Sequence, residues 1–231
     1  MFLIGGPAFS GKTLLAHLLN QGQIICLDEP DFHNPQQSHR GIPFLEDLFP
    51  GKHFPDRPKE TLTYAEAVGL IQECETVISP YNLGIKTANW VFVEYAKIFN
   101  RLGFPVIALV RDIRDVLAEG PLPEWVGGEK GLDDMYGLIW RSLEMFDLWL
   151  RYEDLVTDTE VTIGKISKLL SCDLKVFYRW DADSVHRTMF KLDRHDMLKS
   201  GTLSKSRVSI WKTSNTEFSS NIWNTAKMMG Y

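Results

Sequence analysis

A glycine-rich segment directly after the first apolar run constrains this chain more than any other feature. Gly6–Thr13 reads GPAFSGKT, which is a glycine, four residues, a second glycine, a lysine and a threonine. Glycine allows the backbone turns by which successive N–H groups point at the oxygens of one phosphate. The apolar run Phe2–Ile4 precedes this segment, and Thr13–Asn20 follows with leucines at helical spacing. This order predicts a buried strand, a phosphate-binding loop (P-loop) and a helix.

The side chains of this loop have separate predicted roles. Lys12 is placed to neutralise charge on two phosphoryl groups, and Thr13 offers a hydroxyl to a metal or an oxyanion. The helix that begins near Thr13 adds the positive end of its dipole. The pattern indicates an anionic ligand without specifying a reaction. The predicted binding residues of the loop are Ala8, Phe9, Ser10, Gly11, Lys12 and Thr13.

Strand and helix patterns alternate along the rest of the chain, which predicts an α/β fold of three layers, α/β/α, around a central parallel sheet of the P-loop NTPase type. The 231 residues fit a single domain over 1–231. A proline-rich segment interrupts the pattern around residues 28–62 and is interpreted as a substrate pocket or lid. Further strands are predicted at Gln23–Leu27, Thr76–Ser79, Pro105–Val110 and Leu148–Tyr152, and a mobile loop at Gly120–Gly131.

The composition excludes several classes of protein. A net charge of −5 and a pI near 5.7 argue against a general affinity for nucleic acid. The three cysteines are far apart and form no pair with zinc-ligand spacing, so neither a metal site nor a disulfide framework is predicted. No apolar stretch is long enough for a membrane span, and the first residues lack a basic signal region. A cytoplasmic protein is expected.

Three segments farther along the chain place basic and aromatic side chains at predicted strand ends and in the tail. Leu109–Val116 reads LVRDIRDV, Leu150–Asp158 reads LRYEDLVTD, and Lys205–Lys212 reads KSRVSIWK. In this order they resemble the sulfotransferases that transfer a sulfuryl group from 3'-phosphoadenosine 5'-phosphosulfate (PAPS) to a hydroxyl or amine. The resemblance implies a sulfotransferase-like P-loop fold, PAPS as donor, the bisphosphate PAP as product, and no metal.

The resemblance also implies which side chains contact the nucleotide. Arg111 falls on the arginine that grips the 3'-phosphate, for which a bidentate guanidinium is well suited, and Glu119 falls on a serine of that site. Tyr152 falls on a tyrosine near the adenine. In the tail, Arg207 is the first candidate for a contact with the 3'-phosphate and Lys205 is the second.

The chain departs from the family pattern at several positions. Phe9 replaces a basic residue of the loop, so Lys12 is expected to supply the missing charge from a different position. Glu119 replaces the serine of the 3'-phosphate site, and Ile113 replaces a proline. Ala88 stands where the cytosolic members of the family have a histidine base, so the proton must be removed elsewhere.

Sulfuryl transfer needs a base for the proton of the acceptor and cations for the charge on the leaving phosphate. Glu29, after the second predicted strand, is the first candidate for the base, and His33 is the second. Lys86 matches a family lysine that helps to hold the sulfuryl group, and together with Lys12 it completes the predicted catalytic set.

The sequence leaves two other functions open. The intact Gly11-Lys12-Thr13 is equally typical of a small-molecule kinase that uses ATP and magnesium, with an acidic residue such as Asp28 assisting the metal. The departures from the family pattern are also compatible with a nucleotide-binding relative that has no turnover. For an enzyme, the predicted acceptor is a small molecule or a carbohydrate, in a pocket shaped by residues 28–58 and 120–131.

Overall fold

The computed structural model describes residues 1–30, 32–33, 41–87, 90–176 and 205–231, and at its centre is a parallel sheet of five strands. Their order across the sheet is β2-β3-β1-β4-β5, and every neighbouring pair is parallel. All residues of β1, β2 and β4 are buried, as expected of parallel strands covered on both faces. The strands are β1 Phe2–Gly5, β2 Ile24–Asp28, β3 Asn82–Lys86, β4 Val106–Val110 and β5 Leu148–Arg151.

Helices connect these strands and bury their apolar sides against the sheet, so the predicted three-layer α/β class with a central parallel sheet is confirmed. Most of the predicted elements occur with ends shifted by a few residues. The helices are α1 Lys12–Leu19, α2 Ile42–Leu48, α3 Tyr64–Ile78, α4 Phe92–Arg101, α5 Ile113–Ala118, α6 Gly128–Trp140, α7 Tyr152–Thr157, α8 Thr159–Leu170 and α9 Ser220–Met228. Within the described ranges, no helix is long and apolar enough to cross a membrane.

The strand predicted at Thr76–Ser79 is wrong, because these residues form the end of α3 and the strand follows at Asn82–Lys86. A capping box between Thr63 and Glu66 starts the helix. Its apolar positions keep helical spacing to the last turn, which overrides the strand preference of the β-branched run Thr-Val-Ile. These positions are Ala67, Ile71, Cys74 and Ile78, and all are buried.

The loop predicted at Gly120–Gly131 is more ordered than expected. It contains a 3-10 turn at Glu124–Val126, and α6 begins within it at Gly128. Val126 is buried and anchors the turn, while Gly127 takes a left-handed conformation (φ 77°) just before the helix. The segment places the ring of Trp125 beside that of Phe9 in the P-loop.

Strand β3, which lies between β2 and β1, contains a glycine whose replacement tests the packing of the sheet. A Cβ atom on Gly84 would lie 2.3 Å from Phe2 Cζ and 2.8 Å from Cys26 Sγ, in the two neighbouring strands. We expect Gly84→Ala to lower the free energy of unfolding by about 1–3 kcal/mol because the core is overpacked. Gly69→Ala is the matched control, because that position in α3 has open space and alanine favours the helix by about 1 kcal/mol. Urea unfolding of both variants measures the difference, and an equal change in both would contradict the packing account.

Candidate active site at the carboxyl edge of the sheet

The predicted functional residues meet at one edge because parallel strands all end there. The P-loop follows β1, Glu29 follows β2, Lys86 ends β3, Arg111 follows β4, and Tyr152 follows β5. Together they surround a cavity of about 260 Å³. The residues that line it are Ala8, Phe9, Ser10, Gly11, Lys12, Thr13, Leu14, Glu29, Lys86, Arg111, Glu119, Trp125, Tyr152 and Arg207.

The P-loop takes its shape from two glycines that no other residue could replace without rearrangement. Gly6 and Gly11 have φ angles of 144° and 88°. A Cβ atom at Gly6 would lie 2.0 Å from the carbonyl oxygen of Leu109, and one at Gly11 would lie 2.5 Å from the ring of Tyr152. The loop can therefore pack against the ends of β4 and β5. Ser10 Oγ is buried beside the cavity and has no hydrogen-bond partner in the described part of the chain.

Lys12 lies at the base of the cavity, where its ammonium is largely removed from solvent. It is 6% exposed, and its Nζ donates a hydrogen bond of 2.5 Å to the carbonyl oxygen of Pro7. Burial and the nearby charge of Lys86 lower the pKa of Lys12 to about 7, although Glu29 and Asp28 act in the opposite direction. The amine of Lys12 therefore titrates near neutral pH, and an anion beside Nζ would stabilise its charged form.

The lowered pKa of Lys12 makes anion binding dependent on pH. Above pH 7 the amine of the free protein is increasingly neutral, so a bound anion must restore its proton. We expect the affinity for inorganic sulfate, whose own charge is constant in this range, to fall by up to about tenfold per pH unit between about pH 7.5 and 9. Calorimetric titration at each pH measures this. Lys12→Arg should give a flat profile, since a guanidinium keeps its proton, and an equally steep profile in that variant would contradict the assignment.

Lys86, the last residue of β3, binds two carboxylates at the end of β2. Its Nζ donates to Asp28 Oδ1 at 2.5 Å and to Glu29 Oε1 at 2.7 Å. Asp28 and Lys86 are buried, whereas 43% of the Glu29 side chain is exposed. Glu29 also has a left-handed backbone (φ 51°), and its N–H donates to the carbonyl oxygen of Lys86 at 2.8 Å. The left-handed turn lets the Glu29 side chain reach the cavity while Asp28 stays in the core.

Glu29 also lines a second cavity, of about 210 Å³, next to the first. Its walls are mostly apolar. They come from the start of the proline-rich segment, from the end of β3, and from α4 together with the residue that precedes this helix. No cation lines it within the described residues. The carboxylate of Glu29 thus stands between a cavity with cationic groups and an apolar one. The lining residues are Glu29, Pro30, Phe32, Ile85, Thr87, Val91 and Tyr95.

Arg111 forms a second cationic centre in the first cavity. It is 2% exposed, its Nη1 lies 2.7 Å from Glu119 Oε1, and its Nη2 donates to the carbonyl oxygen of Arg207 at 2.6 Å. The guanidinium lies over the ring of Tyr152, 4.8 Å from the centroid. Its Nε is buried without a hydrogen-bond partner in the described residues. A buried donor beside a cavity is suited to an anionic ligand.

The tail that carries Arg207 is fastened to α5 by Asp115. Its two carboxylate oxygens accept hydrogen bonds from the backbone N–H groups of Ser209 (2.7 Å) and Trp211 (3.1 Å). Burial raises the pKa of Asp115, against the effect of these two hydrogen bonds. Arg114, on the same helix, lies 3.9 Å from the centroid of the Trp211 ring. These contacts hold the guanidinium of Arg207 at the edge of the cavity.

Two predicted residues are not part of this cavity. The ring of His33 stacks on Tyr64, with centroids 4.4 Å apart, and Lys205 is exposed at the start of the described tail. Ala88 and Asp31 lie outside the described residues. The sequence reasoning missed Trp125, whose ring centroid is 5.9 Å from that of Phe9. A tryptophan in a segment rich in glycine and proline was the only signal for it.

Comparison with solved structures shows that this is the fold of sulfotransferase domains. The chain matches a sulfotransferase domain from the curacin biosynthetic pathway over 100% of its own length and 97% of that chain, with a TM-score of 0.73 and 17% identity. It matches the sulfotransferase domain of the Synechococcus PCC 7002 olefin synthase over 100% of its length and 94% of that chain, with a TM-score of 0.58 and 15% identity. No family model and no curated protein sequence matches the chain.

Proposed function

We propose that this chain is a sulfotransferase that uses PAPS as donor and an acceptor with a hydroxyl or amine group. The observation that carries the proposal is a single cavity with two separate cationic centres. One consists of Lys12 and Lys86 beside the P-loop, and the other of Arg111 and Arg207. A ligand with phosphate groups at two positions matches this arrangement better than one with a single phosphate chain. The shared fold with sulfotransferase domains supports the proposal.

The unpaired polar atoms of the cavity fit this donor. Ser10 Oγ and the N–H groups of the loop would bind the 5'-phosphosulfate, together with Lys12 and the hydroxyl of Thr13. Arg111, through its unpaired Nε, and Arg207 would bind the 3'-phosphate. The ring of Tyr152 lies beneath Arg111 and would form a wall for the nucleoside. Each end of the bisphosphate thus has a buried donor that lacks a partner in the described chain.

The second cavity gives the acceptor a place beside Glu29. When bound, PAPS supplies a sulfuryl group on a phosphate leaving group. The ammonium groups of Lys12 and Lys86 stabilise the negative charge that develops near the loop. Glu29, between the two cavities, accepts the proton of the acceptor hydroxyl, and Lys86 orients its carboxylate through the 2.7 Å contact. The apolar walls of the second cavity would contact the apolar part of such an acceptor.

A kinase remains the main alternative because Gly11-Lys12-Thr13 is also the loop of ATP-binding proteins. That function would use Asp28 as the acidic partner of magnesium. In the structure Asp28 is buried and accepts a hydrogen bond of 2.5 Å from Lys86 Nζ, an ion pair that a metal at this carboxylate would have to disturb. A kinase function would also leave the second cationic centre, which contains Arg111, without a role. The sulfotransferase proposal explains both centres.

Calorimetry with PAP and with ATP plus magnesium tests the proposal. We expect PAP to bind in the micromolar range without metal. Tight binding of ATP that occurs only with magnesium, and no binding of PAP, would overturn the proposal in favour of a kinase. Radiolabelled PAPS and a panel of hydroxyl and amine acceptors then test turnover. Binding of PAP with no transfer to any acceptor would favour the relative without turnover.

A further inference from the structure

The second cationic centre, formed by Arg111 and Arg207, is paired with a carboxylate of the same chain, that of Glu119. Glu119 Oε1 lies 2.7 Å from Arg111 Nη1 and 3.5 Å from Arg207 Nη1. All three side chains line the cavity. Glu119 is the C-terminal cap residue of α5, where its backbone N–H donates to the carbonyl oxygen of Leu117. The helix end therefore fixes the position from which this carboxylate reaches both guanidinium groups.

The charges at this centre indicate how Glu119 affects the binding of a ligand phosphate. Two guanidinium groups and one carboxylate leave a net charge of +1 on the three side chains, where the arginines alone would carry +2. A phosphate brought to these arginines competes with the carboxylate for the same N–H donors and is also repelled by it. Arg111 is buried and cannot turn away, whereas the Glu119 side chain is 25% exposed and has solvent beside it.

We infer that Glu119 is a specificity-determining residue that occupies the place of the second phosphate of the ligand. By pairing with Arg111 and Arg207 it competes for their N–H donors and lowers the preference for a 3',5'-bisphosphate over a 5'-monophosphate. The inference rests on the proposed function, because it takes this centre as the site of the 3'-phosphate. A ligand with only a 5'-phosphate leaves the three-residue cluster intact and is not affected by the carboxylate.

The test is the ratio of the dissociation constants of PAP and AMP in four proteins. Glu119→Gln keeps the shape and removes the charge, while Glu119→Ser also opens space at this position. Glu124→Ser is the matched control, since it removes an exposed carboxylate from the segment that follows α5. We expect both Glu119 variants to bind PAP about 10–100-fold more tightly than the unmodified protein, with little change for AMP. Glu124→Ser should leave the ratio unchanged.

The possible results separate this inference from the proposed function. An unchanged ratio of the dissociation constants of PAP and AMP in both Glu119 variants would overturn the inference, even if both nucleotides bound more tightly. The proposed donor site would still stand. A lower preference for PAP would also overturn it, and would show that Glu119 is needed to orient the arginines. No binding of PAP by any of the four proteins would overturn the proposed function as well. Melting temperatures of all four establish that the variants are folded.

Discussion

Arg111→Ala is expected to weaken the binding of PAP by about 100-fold or more while changing the affinity for AMP much less. Arg111 is buried at the end of β4 and lines the cavity, and its Nε has no hydrogen-bond partner among the described residues. Alanine removes this charge and, among the described residues, leaves Glu119 paired with Arg207. Calorimetry with both nucleotides measures the effect. Arg111→Lys should recover part of the affinity, because an ammonium keeps the charge but loses the planar fork.

The control for Arg111→Ala is Arg101→Ala, which removes an arginine from the exposed end of α4. Its two nucleotide affinities should match those of the unmodified protein. Equal losses for PAP and AMP in Arg111→Ala would place this arginine at the common part of the two ligands and contradict a contact with the 3'-phosphate. The double variant with Glu119→Ser adds a second check. If Glu119 acts through Arg111, its replacement should gain less in the Arg111→Ala background.

Glu29→Gln is expected to lower kcat by about 10²–10⁴-fold for any acceptor that the unmodified protein sulfates. Glutamine keeps the size of the side chain and an oxygen for Lys86, so the structure of the strand ends should persist. What it loses is the ability to accept a proton from the acceptor hydroxyl. The affinity for PAP should change little, because the donor is held mainly by the P-loop and the arginines. Steady-state kinetics and a PAP titration measure the two effects separately.

A matched control for this variant is Glu60→Gln, at an exposed position outside both cavities. It should keep full activity. The pH dependence of kcat gives a further readout, since the limb that reports the ionised base should vanish in Glu29→Gln and remain in Glu60→Gln. A Glu29→Gln protein whose kcat stays within the same order of magnitude would show that another group removes the proton.

The P-loop segment could be predicted from the sequence because its pattern is local. The motif is contained in the short segment Gly6–Thr13. The apolar run before it predicts a strand, and the leucines after it predict a helix. The buried β4 was equally clear from its apolar residues, so Arg111 could be placed at a strand end. These features depend on backbone geometry and short-range spacing.

Lys86 was selected as a candidate although the strand before it was misplaced. The β-branched residues at Thr76–Ser79 favour a strand locally, yet the buried side of α3 extends through them. The weaker sequence of β3, with Gly84 at its centre, forms a strand because it fits between β1 and β2. Tertiary packing thus decided that Asn82–Lys86 forms the strand. As a result, Lys86 lies at the carboxyl edge of the sheet.

What the sequence by itself determined is the α/β class, the phosphate loop and the order of the strand ends that carry polar side chains. Only the tertiary structure decided how these groups pair. Glu119 meets Arg207, Asp115 meets the backbone of Ser209, and Lys86 meets Asp28, across separations of dozens of residues. Spacing in the sequence predicts which face a residue occupies, but the partner of a charge depends on which distant segment packs beside it. For that reason the glycine-rich loop was visible at once, whereas the pairing of Glu119 with Arg111 and Arg207 was not.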